Sequence, residues 1–242
     1  MSVAIEVRGL TRRFGAFTAV DSITFDVCAG EVFGFLGANG AGKTTAIRML
    51  IGLLAPSSGE ARVAGFDVLT QSEAVRRRIG YMSQRFSLYD DLTVRENVTL
   101  YGGIYGLADA EIRERGRALV EGLGLGHAAD ERVVALPLGW KQKLAFSVAL
   151  LHQPAVVFLD EPTGGVDPIT RRQFWEQIYA AAARGTTVFV TTHYMDEAEY
   201  CDRISIMVDG RIAALGAPAD LKRDFAAASL DDIFVRLARP AA

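Results

Sequence analysis

The sequence predicts an α/β fold: a mixed core with an antiparallel β part near its start, interrupted by a helical insertion. Three observations carry this reading. Strand-like and helical segments alternate over most of the chain. An almost continuous apolar run, EVFGFLG, enters a glycine-rich loop that opens a helix. Residues 86–153 hold at least three helical patterns and no convincing strand.

The elements follow in chain order. VAIEV puts Val3, Ile5 and Val7 on one face, and ITFDV does the same with Ile23, Phe25 and Val27, the alternation of a half-solvated antiparallel sheet. The helix read over residues 44–54 turns Ile47, Leu50, Ile51 and Leu54 toward the core. Further strands are expected at residues 79–83, 156–159 and 188–191. In the insertion, Thr93 and Glu96 have capping-box spacing, Glu111 and Arg115 stand at i,i+4, and a third helix starts near Trp140. Asp209-Gly210 between two apolar runs signals a hairpin, because a type I′ turn needs positive φ at both central residues. SLDDIFVRL closes the chain as a short amphipathic helix with a fraying end.

Bulk properties narrow the function. At 242 residues the chain can bury a substantial core, and it reads as a single domain. Its divisions are residues 1–85 and 154–217 for the core, 86–153 for the helical insertion and 218–242 for a helical tail. A net charge of −3 supplies no basic field for nucleic acid. Cys28 and Cys201 have neither metal-ligand spacing nor a disulfide framework. The N-terminal segment lacks the apolar centre of a signal peptide, and no run approaches the ~18 apolar residues of a membrane span. The expected location is cytoplasmic, with any membrane role exercised through a partner.

GANGAGKTT fits the phosphate-cradling pattern at Gly37, Gly42, Lys43 and Thr44, with Asn39, Gly40, Ala41 and Thr45 completing the loop. Its glycines let successive N–H groups point into one concavity, and the following helix adds its positive end. Lys43 reaches the β- and γ-phosphates, and the Thr44 hydroxyl is a ligand for Mg²⁺. AVVFLDEP delivers two acids at a strand's carboxyl end. Asp160 is suited to the Mg²⁺ shell and Glu161 to deprotonating a water that attacks the γ-phosphate. VFVTTH ends another apolar strand in His193, read on its own either as a satisfied core histidine or as a neutral donor suited to sensing that phosphate.

In this order the motifs resemble those of the ATP-binding-cassette (ABC) transporter ATPases, over essentially the whole chain. The resemblance implies a P-loop NTPase core that binds ATP and Mg²⁺. It makes Phe14 the aromatic that stacks on adenine, and Gln84 the Q-loop glutamine linking Mg²⁺ and the attacking water to a membrane partner. DEPTGGVDP is similar to a Walker B segment running into a D-loop, with Asp167 the loop aspartate facing across a dimer, and His193 matches the switch histidine. HYMDEAEYCDR, DGRIAALGAPADLK and SLDDIFVRL resemble the exporter-type ABC-2 subgroup. The implied partners are an integral membrane permease, with Phe86, Leu88 and Tyr89 read either as part of its docking groove or as ordinary core packing, and a second ATPase subunit, identical or different. The implied place is the cytoplasmic face of the membrane.

One motif departs from the family. Its signature, usually Leu-Ser-Gly-Gly-Gln, here reads Leu136-Pro137-Leu138-Gly139-Trp140. Pro137 supplies neither hydroxyl nor N–H, and Leu138 adds bulk. Two donors worth about 1.5–3 kcal/mol each toward the neighbour's γ-phosphate are lost. Gly139 remains to act in trans, with the amides of Leu138, Gly139 and Trp140 at a helix start and Pro137 in its first turn. Lys141 and Lys143 are read in that same turn, where they disfavour the helix, and are either placed beside an anion or simply solvated. The main reading is a transport ATPase. The alternatives are a catalytically weak regulatory partner in a heterodimer and a soluble ATPase acting on nucleic acid or the ribosome.

Overall fold

A computed structural model of the chain describes residues 2–84 and 88–238. Its elements, in order, are β1 (Val3–Phe14), β2 (Phe17–Cys28), β3 (Val32–Gly37), α1 (Lys43–Leu50), β4 (Ser58–Val63), β5 (Phe66–Asp67) and α2 (Ser72–Arg78). Next come β6 (Ile79–Met82), α3 (Val94–Ile104), α4 (Asp109–Gly122), two 3₁₀ turns, α5 (Leu138–Ala149) and β7 (Val156–Asp160). The chain continues through α6 (Pro168–Ala183), β8 (Thr187–Thr192), α7 (Met195–Ala198), β9 (Arg203–Val208), β10 (Arg211–Gly216), α8 (Pro218–Asp224) and α9 (Leu230–Ala238).

The strands sort into two sheets. One is antiparallel, in the order β2-β1-β4-β5, and the other runs β10-β9-β3-β8-β7-β6. The second is parallel except for β10, which returns through the Asp209-Gly210 turn with both φ values positive (47° and 80°). Register decides function here. Leu36 pairs with Thr192 and Asp160 with Thr191, so β3, β7 and β8 end side by side.

Alternation along the buried parallel strands builds two cores. Phe33, Phe35, Phe158 and Phe189 face the antiparallel sheet and α1, where they join Phe25. Ring centroids there are 5.6 Å apart for Phe25–Phe33 and 5.2 Å for Phe35–Phe189. Each such ring contributes about 1.5–3 kcal/mol by leaving water. The opposite faces, with Val32, Leu36, Val157, Leu159, Val188 and Val190, pack against Phe146 of α5 and Phe174 of α6.

Several boundaries differ from expectation for identifiable reasons. The helix read over residues 44–54 ends at Leu50. Gly52 adopts φ 69°, with Gly52 N–H donating to Met49 O and Leu53 N–H to Arg48 O, a Schellman stop that leaves Leu54 half-buried. β1 and β2 extend to 12 residues each because register shifts interrupt their alternation and conceal their length. β4 was not expected, as Ser58–Val63 buries only Ala61 and Val63. α6 was missed although Asp167 caps it and Pro168 opens it. The capping box at Thr93 and the Glu111–Arg115 pair at 2.8 Å are present. In the closing helix Leu230 and Ile233 are buried, while residues 239–242 lie outside the described residues.

Candidate active site

The loop between β3 and α1 is shaped by backbone that only glycine accommodates. Gly42 has φ 104°, and a Cβ there would overlap the Ala19 carbonyl. It caps α1 without a side-chain hydrogen bond, so the first N–H groups of that helix open into the loop. Ala38, Asn39 and Gly40 are exposed at the tip, and Ala41 is buried beneath them. Lys43 is buried and its Nζ donates to the carbonyls of Gly37 (2.8 Å) and Ala38 (3.2 Å).

β7 and β8 bring the acids to this loop. Asp160 is buried, its Oδ2 accepting from Thr44 Oγ1 at 3.1 Å and its Oδ1 from Thr191 Oγ1 at 2.7 Å. Those oxygens form a hard donor set suited to Mg²⁺. Burial, with the Asp160 charge second, pushes the neighbouring Tyr81 hydroxyl up to about 12, which keeps it protonated. Glu161 has φ 50°, a left-handed conformation costing about 1–2 kcal/mol for a residue with a Cβ. Its N–H donates to Thr191 Oγ1 at 3.0 Å, which holds the turn.

Around the Glu161 carboxylate the separate motifs meet. Lys43 Nζ lies 3.3 Å from Oε1. Gln84, just past β6, donates from Nε2 to Oε2 at 3.0 Å, and His193 Nδ1 lies 3.1 Å from the same atom. A carboxylate only accepts, so Nδ1 carries the proton in that contact. Phe14, at the end of β1, is 47% exposed, and the Arg12 guanidinium lies over its ring, 4.6 Å from the centroid. Thr191 was not singled out from sequence. Its signal was the polar pair closing VFVTTH, which the alternation of a buried strand does not explain.

The variant signature lies elsewhere on the chain. Leu138, Gly139, Trp140, Lys143, Asp167 and Thr170 line a cleft of about 490 Å³ whose lining includes none of Lys43, Thr44, Asp160 and Glu161. Asp167 caps α6, its Oδ1 accepting from the N–H groups of Ile169 and Thr170 at 3.0 Å, and the Thr170 hydroxyl on its Oδ2, then these backbone bonds, hold its carboxyl below the usual range. Thr170 packs so closely that a Cβ on Gly139 would meet its Cγ2 at 2.7 Å.

Four expectations about this stretch are corrected. Pro137 is the N-cap of α5 rather than a first-turn residue. Trp140 N–H is used, donating to Pro137 O at 3.0 Å, which leaves Leu138 and Gly139 as the amides without an intrahelical acceptor. Lys141 pairs with Asp90 at 3.2 Å, so the nearby anion is a carboxylate of the same chain and no bound ligand is needed to explain it. Lys143 stands in the second turn, donating to Gln173 Oε1 at 2.6 Å over the Trp140 ring. Of the apolar run beyond Gln84, Leu88 is buried and Tyr89 exposed, while Phe86 lies outside the described residues. Both cysteines are free.

Comparison with known proteins agrees with this geometry. Residues 20–164 match the ABC transporter family. The chain is 50% identical over 218 residues to the probable multidrug ABC transporter ATP-binding protein YbhF of Escherichia coli (strain K12), covering 90% of this chain but only 38% of that relative. It is 43% identical over 220 residues to the daunorubicin/doxorubicin resistance ATP-binding protein DrrA of Streptomyces peucetius, covering 90% of this chain and 67% of that one. A solved ATP-binding subunit of an ABC transporter superposes with a TM-score of 0.88 at 33% identity, covering 98% of this chain and all of the other. Fold, loop and converging carboxylates point the same way: the chain belongs to the ABC transporter family, as one of its ATP-binding cassettes.

Proposed function

We propose that this chain binds ATP with Mg²⁺, hydrolyses it and so powers export through a separate membrane permease. The observation that carries the reading is the meeting of Lys43, Gln84 and His193 on the Glu161 carboxylate beside Asp160. In this reading the loop of residues 37–45 wraps the phosphates, and Lys43 turns from its own carbonyls to the β- and γ-phosphates. Phe14 stacks on the adenine. Thr44, Gln84 and, indirectly, Asp160 would hold Mg²⁺, which when bound would neutralise charge on the transferring phosphoryl group. Glu161 orients the attacking water and takes its proton, a role worth about 10²–10⁴ in rate. His193 donates toward the γ-phosphate, and Gln84 reports its presence to the permease.

The site is completed by a second cassette, identical or different. Its Gly139 amide caps the γ-phosphate in trans and its Asp167 lies across the interface. Pro137 and Leu138 remove donors from that cap, which supports a second reading: a weak or regulatory member of a heterodimer. The permease docks on residues 86–153, read as the helical subdomain. A groove of about 420 Å³ at its junction with the core, where Ile104 and Tyr105 meet Leu53, Arg76 and Tyr81, supports this. The chain would then sit peripherally on the cytoplasmic membrane face. The names of YbhF and DrrA favour drug export.

The test is Glu161→Gln. Turnover should fall by about 10²–10⁴, while ATP is still bound and still drives dimerisation in gel filtration. A chain without affinity for adenine nucleotides in the presence of magnesium would refute the reading.

A further inference from the structure

A fully buried acid stands apart from the site just described. Glu197 of α7 is fully buried, yet it belongs to neither the phosphate loop nor the β7 acid pair. Its Oε1 accepts from Thr163 Oγ1 at 2.6 Å, and its Oε2 from Thr192 Oγ1 at 2.9 Å. Arg171 Nε of α6 is ion-paired to Oε1 at 3.3 Å, and its guanidinium lies 4.6 Å from the Tyr194 ring centroid.

We propose that Glu197 is a positioning residue for hydrolysis, fixing the distance between Glu161 and His193 by gripping both of their chain segments at once. Thr163 is two residues beyond Glu161. Thr192 immediately precedes His193, and its Oγ1 also accepts from the N–H of Tyr194 at 3.0 Å, so the histidine is fastened on both sides. The first segment is held from the other direction as well, because Gln142 Nε2 of α5 donates to Gly164 O at 3.1 Å. Gln142 belongs to the helix that begins at Leu138 and Gly139. A continuous line of hydrogen bonds and chain therefore runs from the signature helix through Gly164 and Thr163 to Glu197, Thr192 and His193.

The chemistry explains why the residue is an acid. A carboxylate accepts from two hydroxyls, one on each oxygen, and carries the charge that pairs with Arg171, which an amide with one acceptor atom and no charge cannot do. Buried without those three partners, its charge would be left uncompensated. Burial pushes its carboxyl up, while the two hydroxyls and then Arg171 hold it down.

The inference rests on the proposed hydrolysis, and the experiment separates the two. The chain has three histidines, so the ring resonances of His193 are separable by NMR from those of His127 and His152. In the full chain, Glu197→Ala should move the His193 ring signals and leave the other two in place. It should also lower kcat by about 100-fold, the cost of a misplacement on the order of 1 Å, with ATP affinity changed by less than about threefold. Thr192→Val should reproduce this and Thr192→Ser should restore it, which keeps the test open if Glu197→Ala does not fold. Unmoved His193 signals in a folded Glu197→Ala or Thr192→Val variant would overturn the proposal. So would equal losses of affinity and kcat that serine does not rescue. A parent chain without nucleotide affinity would instead overturn the proposed function, and the ring signals would still decide the role of Glu197.

Discussion

Lys43 Nζ lies 3.3 Å from Glu161 Oε1, joining the phosphate loop to the end of β7 through two side chains that are both nearly out of solvent. Breaking a buried pair by removing one member leaves the other uncompensated. Lys43→Met should therefore destabilise the nucleotide-free chain on the order of 3 kcal/mol. Adding Glu161→Gln should recover about 1 kcal/mol of that, since the stranded charge is then gone. Urea denaturation of the two variants and the parent checks both. If the double variant is less stable than Lys43→Met alone, the pairing is not what holds the two groups.

Glycine substitutions should separate packing from propensity. Gly80 of β6 is buried, and a Cβ there would overlap the Ala149 carbonyl at the end of α5. Gly80→Ala should cost more than about 2 kcal/mol or yield insoluble protein, because a strand edge and a helix end would have to part. Gly103 of α3 is exposed and has nothing within 4 Å of its would-be Cβ. Gly103→Ala should gain about 0.5–1 kcal/mol from helix propensity. Thermal midpoints of opposite sign are the expected result.

His152 should make stability fall in acid. Burial pushes its ring down to about 4. The bond to Ile79 O at 3.0 Å opposes that shift, and the Arg115 charge adds to it. The folded value lies below the unfolded one near 6.5, so the unfolded chain takes up the proton first. The contribution is whole above about pH 6.5 and is lost as pH falls toward 4, amounting to about 2 kcal/mol by pH 5. His152→Phe keeps the stack on Tyr105, whose centroid is 3.8 Å away, but cannot titrate. Its urea midpoint should fall less between pH 7.5 and 5 than the parent's.

Restoring the signature donors tests the trans cap. Pro137→Ser with Leu138→Gly returns a hydroxyl and a small residue to the start of α5. Serine is also a better N-cap than proline for that helix. ATP turnover should rise by about tenfold or more, in line with one recovered charge-assisted hydrogen bond. Unchanged turnover in the folded double variant would show that the Leu138 and Gly139 amides already suffice.

What could be read ahead of the structure was local. Lys43 and Thr44 announce themselves by spacing to Gly37 and Gly42, Asp160 and Glu161 by the apolar run before them, and Thr93 by Glu96 three residues on. The Lys141 and Lys143 reading failed for the opposite reason. Asp90 and Gln173, which occupy them, are 51 and 30 residues distant and carry no periodic signal. Thr163, Thr192 and Glu197 were passed over because a buried polar residue is informative only when its partners are known.

The sequence by itself determined the phosphate loop, the acid pair, the turn at Asp209-Gly210 and the departure at Pro137. Such features depend on side-chain period, on glycine's tolerance of positive φ and on proline's missing N–H, all properties of a few adjacent residues. Tertiary structure alone decided that Lys43, Gln84 and His193 share one carboxylate and that Glu197 binds both sides of their contact. Those meetings follow from placing β3 beside β8 and β8 beside β7 in one register, which no short stretch of chain encodes.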